Sequence, residues 1–431
     1  MTVPFRFIHA ADLHLDSPFR GMNKAPEPLK EKLMASTFTA LRSLTETAIR
    51  EQVDFIVLSG DLFDEADRSL RAQLLLVKEW EKLEEHGIAV FVIHGNHDPL
   101  NGSRAELKLP SSVTVFGSAE MEYRPAYCRN GELAAFVYGQ SYGTRHVTDN
   151  LAAAYTRSPE GPFHIAMLHG NVNGDSSHDP YAPCSLEDLI GGKGFDYWAL
   201  GHIHTRQILH EYPHVVYPGN IQGRNPRETG ERGCYLVEVS AKREVKLSFV
   251  PLDEVRWLEA ELSIAGISSE QQLLMRLEET IERLAIDGEG RSIMVRLMLN
   301  GRGGLHRKLS DSLIQRTLLE QLQDRPSSVG GTWTWVYAIE IHTAAELQLL
   351  ELADEDSFAG ELYRLTARLQ ADKEAWRVEA AEAVAALAGH AKLGRLLRDT
   401  WEELPERWLL QARELTLGLL GDDESGGRKE A

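Results

Sequence analysis

The chain has 431 residues, of which 43 % are hydrophobic and 26 % charged, a composition typical of globular proteins with two or three domains. No apolar run approaches the roughly 18 residues of a membrane helix, and no signal peptide precedes the first predicted strand, so we expect a cytoplasmic protein without membrane association. The net charge of −19 argues against a broad, non-specific coat of nucleic acid, but not against nucleic acid held at one metal site. The three cysteines have no metal-binding spacing and are expected to be reduced thiols.

Residues 1–251 alternate short apolar strands with amphipathic helices, which predicts an α/β (α+β) fold. Helices are expected within Pro28–Glu51 and over Leu70–His86, the second with Leu74, Val77 and Leu83 on its inner face. Strands are dense late in this region, which favours a two-sheet sandwich flanked by helices over a single Rossmann sheet. The predicted strands are Phe5–His9, Phe55–Leu58, Ile88–Ile93, Val113–Phe116, Ala134–Tyr138, His164–Leu168, Tyr197–Leu200, Val215–Tyr217, Cys234–Val239 and Lys246–Phe249.

The pattern changes at Pro251-Leu252, where we place a domain boundary. Residues 252–345 follow a β-α-β-α-β order, with strands at Glu259–Ile264, Ile293–Leu299 and Trp333–Ile341 and a second helix over Leu309–Leu322, and predict a smaller α/β domain. Residues 346–421 predict helices only, with apolar stripes that begin at Phe358, Leu393 and Trp408. Residues 422–431 are polar and predict a disordered tail.

Five predicted strands of the first domain end on Asp, Asn or His. Because ligands of open α/β sheets bind at the carboxyl ends of the strands, we expect these side chains to converge at one edge. A lone Asp-x-His is more often a polar strand end than a metal site, so the argument depends on all five segments together. The segments are Asp12-Leu13-His14, Gly60-Asp61-Leu62-Phe63-Asp64, Gly95-Asn96-His97-Asp98, His169-Gly170 and Gly201-His202-Ile203-His204.

These residue types suit a pair of divalent metals. Two such ions with two carboxylates and a bridging hydroxide carry a net charge of about +1, enough to attract a phosphate diester. Ions roughly 3.5–4 Å apart need a shared anion, and we expect Asp61 to touch both. Histidine nitrogen mixed with carboxylate favours Mn, Fe or Zn over Mg. The predicted metal ligands are Asp12, His14, Asp61, Asn96, His169, His202 and His204.

Neighbours of these ligands are predicted to act in the reaction. His97 points away from the metals if Asn96 binds one, so we expect it to steady the transition state or protonate the leaving oxygen. Asp98 is expected to orient His97, and Asp64 to support the ligands without binding metal itself. Arg224, Arg227 and Arg232 are either a basic patch for DNA or solvated loop charges.

The five segments, in this order, resemble the motifs of the calcineurin-like metallophosphoesterases. GDLFD, and GHIH followed by Tyr217-Pro218-Gly219-Asn220, are most similar to the DNA-repair exonuclease branch, which includes SbcD-type and YhaO-like proteins. The likeness covers about the first 250 residues. It implies that Asp12, His14, Asp61 and His204 hold one metal, that Asp61, Asn96, His169 and His202 hold the other, and that His97 is the catalytic histidine.

The resemblance further implies two-metal hydrolysis of DNA, as an exonuclease or endonuclease, with Mn²⁺ as the favoured metal. The segment 252–345 would be the capping domain, the C-terminal helices would bind an SMC-like coiled-coil ATPase, and the family leads us to expect a homodimer. One alternative is a phosphatase or cyclic-nucleotide phosphodiesterase, against which the absence of Arg directly after Asp64 counts. Another is an assembly subunit with a vestigial site, which the presence of all seven ligands disfavours.

Overall fold

The structure is a computed structural model that describes residues 3–19, 25–64, 68–103, 105–174, 181–324, 327–329, 331–345, 353–388, 408–410, 412–413 and 416–417. The chain divides into two compact units. The first consists of Met1–Glu259, Ile281–Arg296 and Pro326–Tyr337, and the second of Ala260–Thr280, Leu297–Arg325 and Ala338–Ala431. The domain boundaries at residues 251 and 345 stay predictions. The predicted stripe from Leu393 and the predicted tail at 422–431 lie outside the described residues.

The first unit contains two six-stranded sheets, each with four parallel strands and antiparallel strands beside them. The first sheet has the order β12-β11-β1-β2-β3-β4 and the second β5-β6-β7-β8-β10-β9. The strands of the first sheet are β1 (Phe5–Ala10), β2 (Phe55–Ser59), β3 (Ala89–Ile93), β4 (Val113–Val115), β11 (Gly233–Val239) and β12 (Val245–Pro251). Those of the second are β5 (Glu122–Tyr127), β6 (Leu133–Gly139), β7 (His164–His169), β8 (Tyr197–Gly201), β9 (Gln207–Glu211) and β10 (His214–Tyr217).

The register of the parallel strands aligns their carboxyl ends. Ala10 lies opposite Leu58, and Ser59 lies opposite Ile93, so β1, β2 and β3 finish side by side. In the second sheet His169 lies opposite Gly201, so β7 and β8 also finish together. The polar residues that follow these strands therefore begin at one edge of each sheet.

Both faces of the first sheet are buried, which confirms the predicted sandwich flanked by helices. Phe7 points into the core between the two sheets, where it meets Val137 and Tyr197 from the second sheet. Ile8 points to the opposite face and joins a core that includes Leu41 of the first helix. Because side chains alternate along a strand while both faces are covered, the strands form continuous apolar runs.

Four helical segments of the first unit flank these sheets. Helix α2 begins at a capped position, since the Ser69 side chain accepts a hydrogen bond from the Ala72 amide at 3.1 Å. Its buried apolar residues are Ala72, Leu76, Trp80 and Leu83, at helical spacing. The prediction that Leu74 faces inward is wrong, because half of this side chain's surface is exposed. The segments are α1 (Glu27–Arg50), α2 (Leu70–Glu85), a 3-10 turn at Leu151–Ala154 and α3 (Leu186–Ile190).

A third sheet follows in sequence, with the order β13-β14-β16-β15. The helix predicted over Leu309–Leu322 begins three residues later, at Ser312, because Asp311 caps it by accepting a hydrogen bond from the Leu313 amide at 2.7 Å. Strand β15 was not predicted. The elements are β13 (Val255–Ser263), α4 (Glu270–Asp287), β14 (Ser292–Arg302), α5 (His306–Leu309), α6 (Ser312–Gln323), β15 (Ser327–Val329) and β16 (Thr332–Ala344).

The C-terminal region is helical where the structure describes it, as predicted. Helices span Phe358–Ala371 and Lys373–Ala388, and Ser357 caps the first of them through the Gly360 amide. Phe358 and Leu365, two members of the predicted stripe, are exposed. Across the described residues, every helix is too short or too polar to cross a membrane.

One buried histidine, His9 in β1, is expected to make the stability of the fold depend on pH. Burial lowers the pKa of His9 to about 3, and its ring nitrogens lie 3.0 Å from the Tyr197 hydroxyl and 3.0 Å from the Leu200 carbonyl. The unfolded chain binds a proton here below about pH 6.5 and the folded chain does not, so stability falls as pH drops from about 6.5 toward 3.

We therefore expect His9→Gln to flatten the pH dependence of stability. Between pH 4 and 6, the free energy of unfolding should change with pH less steeply in the variant than in the parent. The difference between the two slopes should be about 1.4 kcal/mol for each pH unit. Urea unfolding of metal-free protein at several pH values measures this slope. Equal slopes in parent and variant would contradict the assignment of His9 as a neutral buried group.

Candidate metal centre

Tight backbone turns place the polar side chains after each strand. Four of the predicted ligands have left-handed backbone conformations, with φ of 52° at Asp12, 42° at His14, 50° at Asp61 and 99° at His202. Residues other than glycine rarely adopt such backbone angles. Each such angle costs about 1–3 kcal/mol and persists only where the surrounding structure imposes it. Such strain is concentrated at functional sites, which supports a functional role for this edge.

Two glycines allow the strand ends to approach one another. A Cβ atom at Gly95 would lie 2.4 Å from Asp61 Oδ1 and 2.6 Å from His169 Nε2. A Cβ atom at Gly201 would lie 1.9 Å from the Ser59 carbonyl oxygen. Only glycine fits at these two positions without moving a neighbouring strand end.

One group of donor atoms forms around His14 and His204. Their Nε2 atoms are 3.1 Å apart, and Asp12 offers a carboxylate oxygen within 4.8 Å of both rings. Asp12 is itself fixed, since both of its oxygens lie 3.1 Å from the His202 amide nitrogen. Three of the four residues expected around the first metal are therefore adjacent.

A second group forms around His169. Its Nε2 atom lies 3.0 Å from Asn96 Oδ1 and 3.4 Å from Asp61 Oδ2. The ring of His202 packs edge-on against that of His169, with centroids 5.3 Å apart. The four residues expected around the second metal thus also lie together.

Asp61 lies between the two groups. Its Oδ2 atom is 3.4 Å from His169 Nε2 and 3.8 Å from His14 Nε2, while Oδ1 accepts a hydrogen bond from the His97 amide at 2.9 Å. One carboxylate oxygen within reach of histidines from both groups is the arrangement that a shared ligand requires.

The donor set fits a pair of divalent metals. The Nδ1 atoms of His169 and His204 lie 2.9 Å from the Ser59 carbonyl and 2.8 Å from a Glu228 carboxylate oxygen, which fixes their protons on Nδ1. His14 Nδ1 lies 3.1 Å from Asp64 Oδ1, so each ring directs Nε2 into the site. The facing Nε2 atoms of His14 and His204 would repel as two lone pairs unless they share a cation.

The electrostatics of the site couple metal binding to proton release. Burial raises the pKa of Asp12 to about 6 and lowers that of His14 to about 3. Burial would also raise the pKa of Asp61, but the nearby rings of His169, His97 and His14 hold it well below its usual value. Against the effect of burial, Asp61 raises the pKa of His169 to about 9. A metal competes with that proton, so higher pH favours its binding.

His97 lies beside both groups, in the position expected for it, but Asp98 does not orient it. Asp98 accepts hydrogen bonds from the amides of Leu62 and Gly95, and its Oδ2 lies 2.8 Å from His94 Nδ1. Instead, His97 Nδ1 donates to the Asp64 carbonyl oxygen at 2.7 Å. Asp98 therefore stabilises the loops that carry Asp61 and Asn96, which corrects the prediction for this residue.

Asp64 contacts His14 on the ring nitrogen opposite the one that faces His204. Its Oδ1 atom lies 3.1 Å from His14 Nδ1 and accepts a hydrogen bond from Arg224 Nη1 at 2.5 Å. Although burial opposes it, the hydrogen bond with His14 and the positive charge of Arg224 hold the pKa of Asp64 far below its usual value, so Asp64 is ionised.

Two of the three arginines after β10 match neither prediction made for them. Arg224 is buried against Asp64, and Arg232 is buried where its guanidinium donates to the His204 carbonyl and to Asn220 Oδ1. Only Arg227 is an exposed loop charge. Arg224 and Arg232 therefore stabilise the site and do not offer a surface for DNA.

Glu228 is a site residue that sequence reasoning missed. Its Oε1 holds His204 Nδ1, and its Oε2 accepts from the Arg224 amide at 2.6 Å and from Asn220 Nδ2 at 2.9 Å. The available signal was strand β10, which lies parallel to β8 and ends in another polar run at the same edge. Glu228 itself lies eleven residues beyond that strand, after a loop whose course no local pattern predicts.

Comparison with known proteins places this geometry in a family. The profile of calcineurin-like phosphoesterases matches residues 5–206, and that of the middle domain of metallophosphoesterase YhaO matches residues 257–344. The uncharacterized metallophosphoesterase YhaO of Bacillus subtilis (strain 168) is 42 % identical over 364 residues, which are 84 % of this chain and 87 % of that protein. The chain belongs to the YhaO-like metallophosphoesterases.

More distant relatives of this metallophosphoesterase carry the name DNA double-strand break repair protein Mre11. That of Methanopyrus kandleri is 26 % identical over 307 residues, 66 % of this chain and 63 % of that protein. That of Archaeoglobus fulgidus is 23 % identical over 389 residues, 84 % of this chain and 83 % of that protein. Membership in the family makes the chain a metal-dependent hydrolase of phosphoester bonds.

Removing the negative charge of Glu228 is expected to weaken metal binding. In Glu228→Gln the amide no longer fixes the proton of His204 on Nδ1, and loss of such a partner typically costs about 10–100-fold in metal affinity. Calorimetric titration of stripped protein with Mn²⁺ measures the change. Glu231→Gln, in the same loop but on the surface, is the matched control, and equal affinities in the two variants would contradict the role of Glu228.

Proposed function

We propose that this metallophosphoesterase is a DNA nuclease that hydrolyses phosphodiester bonds at or near DNA ends by two-metal catalysis. The observation that carries the proposal is the position of Asp61, between one donor group around His14 and another around His169. A paired site is suited to a diester, because both the attacking and the leaving oxygen need stabilisation during in-line displacement. The relatives named for DNA double-strand break repair support DNA as the diester.

The proposed metal ligands fall into two sets, which correspond to the two groups of donor atoms described above. Asp12, His14, Asp61 and His204 would hold one ion, and Asp61, Asn96, His169 and His202 the other. Bound there, the two ions would supply Lewis acidity and an activated nucleophile near neutral pH. Mn²⁺ is the metal we favour for this mixture of nitrogen and oxygen donors, with Fe and Zn as the other suitable ions.

His97 is the proposed proton donor. Because the Asp64 carbonyl can only accept, one proton of His97 stays on Nδ1. The proton given to substrate is a second one, which the imidazolium form carries on Nε2. Its ring packs edge-on against that of His14 with centroids 5.0 Å apart, beside the first donor group. From this position His97 can protonate the leaving 3′ oxygen.

The remaining parts of the chain have proposed roles in delivering DNA. We propose that residues 1–251 form the nuclease domain, that residues 252–345 form a capping domain, and that the helices in 346–421 bind an SMC-like coiled-coil ATPase. The match of residues 257–344 to a YhaO middle domain supports a separate role for that segment. The exposed side chains of Phe358 and Leu365 support a partner at the C-terminal helices. The three unpaired, buried cysteines support a cytoplasmic location.

Parallel hydrolysis assays test the proposed function. Metal-stripped protein is supplied with Mn²⁺ and incubated with linear duplex DNA, bis-p-nitrophenyl phosphate or p-nitrophenyl phosphate, with and without the candidate ATPase. We expect cleavage of DNA and of the generic diester, and little cleavage of the monoester. Cleavage of the monoester with DNA left intact would overturn the nuclease proposal in favour of a phosphatase.

A further inference from the structure

One loop, Asn220–Glu228, makes two contacts with the first donor group of the metal centre. At its end Glu228 holds the ring of His204, and at its middle Arg224 binds Asp64, which contacts His14. The loop is fixed from beneath, because the Trp257 indole donates to the Gly223 carbonyl at 3.0 Å. A Cβ atom at Gly223 would lie 2.7 Å from the Glu228 carbonyl oxygen, so the loop is tightly packed here.

Arg224 is buried and directed inward. The side chain is 11 % exposed, and Nη1 donates to Asp64 Oδ1 at 2.5 Å and to Ser17 Oγ at 2.7 Å. Its backbone amide donates to Glu228 Oε2 at 2.6 Å, so the main chain is fixed as well. A buried guanidinium with an ionised partner is a rigid contact, and loss of one member leaves the other charge uncompensated.

The partner of Arg224 controls two histidines of the site. The Asp64 carboxylate lies 3.1 Å from His14 Nδ1 and 3.8 Å from His97 Nδ1. The backbone carbonyl oxygen of Asp64 accepts a hydrogen bond from His97 Nδ1 at 2.7 Å. Release of the Asp64 side chain from Arg224 would act on His97 in two ways: it would move the carboxylate that lies 3.8 Å from the ring, and it would loosen the main chain whose carbonyl orients that ring. The positive charge of Arg224 also offsets the negative charge that Asp64 adds beside the site.

We propose that Arg224 is a positioning residue of the reaction, which holds Asp64 so that the imidazole of His97 stays oriented toward the substrate. The proposal rests on the proposed function only in requiring that the site hydrolyse a phosphoester, whether or not that ester is DNA. It assigns no direct contact with substrate to Arg224, because the side chain is buried against protein groups.

Steady-state kinetics on bis-p-nitrophenyl phosphate with saturating Mn²⁺ separate this role from substrate binding. Arg224→Gln should lower kcat about 10–100-fold with KM within about twofold of the parent, and should still bind two Mn²⁺ per chain. Arg224→Lys should recover part of the lost kcat, since it restores the charge. Arg227→Gln, the same change at an exposed position three residues on, should match the parent.

A double-mutant cycle and a spectrum of the metal-free protein test the route through Asp64. Asp64→Asn with Arg224→Gln should lower kcat no more than Asp64→Asn alone, because the two residues act as a unit. In ¹⁵N-histidine NMR spectra without metal, the His97 ring signals should shift in Arg224→Gln and stay unchanged in Arg227→Gln.

Parent-like kcat in Arg224→Gln, multiplicative effects in the double variant, or unchanged His97 signals would each overturn the proposal. A parent protein that cleaves the generic diester and not DNA would overturn the nuclease assignment alone and leave this test in force. A parent that cleaves neither ester would overturn both.

Discussion

His97→Asn is expected to abolish turnover while leaving both metals bound. The His97 side chain is absent from both donor groups proposed to hold metal, and its ring is anchored to the Asp64 carbonyl, so its loss removes a proton donor and no ligand. General acid–base catalysis contributes about 10²–10⁴-fold, and kcat should fall by that factor. Hydrolysis of DNA and of the generic diester, together with metal content by mass spectrometry, measures both effects.

The control for this variant is His86→Asn, directly after α2 on the protein surface, where Nδ1 of the ring lies 2.8 Å from the Lys82 carbonyl oxygen of the preceding turn. It should retain the rate of the parent. If His97→Asn cleaved DNA at the parent rate, or if it lost its metals, the role assigned to His97 would be wrong.

Asp61→Asn is expected to weaken both metal sites at once. The substitution keeps the size of the side chain and an oxygen for the His97 amide, but removes a negative charge that lies within reach of both donor groups. The loss of affinity should exceed the roughly 10–100-fold that follows loss of an outer hydrogen-bond partner. Titration with Mn²⁺ and hydrolysis assays over a range of metal concentrations report the change.

Asp54→Asn is the matched control for Asp61→Asn. Asp54 directly precedes β2, at the opposite end of the same strand, where its oxygens accept from the amides of Arg6 and Arg129. It should bind metal as the parent does. An Asp61→Asn variant that retained one site at full affinity would show that Asp61 serves a single metal.

The sequence predicted the centre of the fold well because the central strands are buried on both faces. Runs such as Phe55–Leu58 are continuously apolar and end abruptly in polar residues, which marks both the strand and the ligand that follows it. The strands that escaped prediction, β5, β9 and β15, lie at sheet edges, and the first two contain exposed polar residues such as Arg124 and Glu211. At an edge the apolar pattern that identifies a strand is weak.

The convergence of the predicted ligands could be inferred from the sequence, and the residues that support them could not. Asp61 comes two residues after β2 and His169 is the last residue of β7, so both can be located from local pattern alone. Glu228 and Arg224 act from an irregular loop, and their partners, His204 and Asp64, lie far away in sequence. The role predicted for Asp98 failed for a related reason, because adjacency to His97 in sequence says nothing about which ring its carboxylate meets in the fold.

Anomalous diffraction from crystals grown with Mn²⁺ tests the shared role of Asp61 most directly. We predict two peaks roughly 3.5–4 Å apart, one beside His14 and His204 and the other beside His169 and Asn96, with a carboxylate oxygen of Asp61 between them. A single peak, or two peaks that Asp61 does not join, would contradict the paired centre on which the proposed chemistry depends.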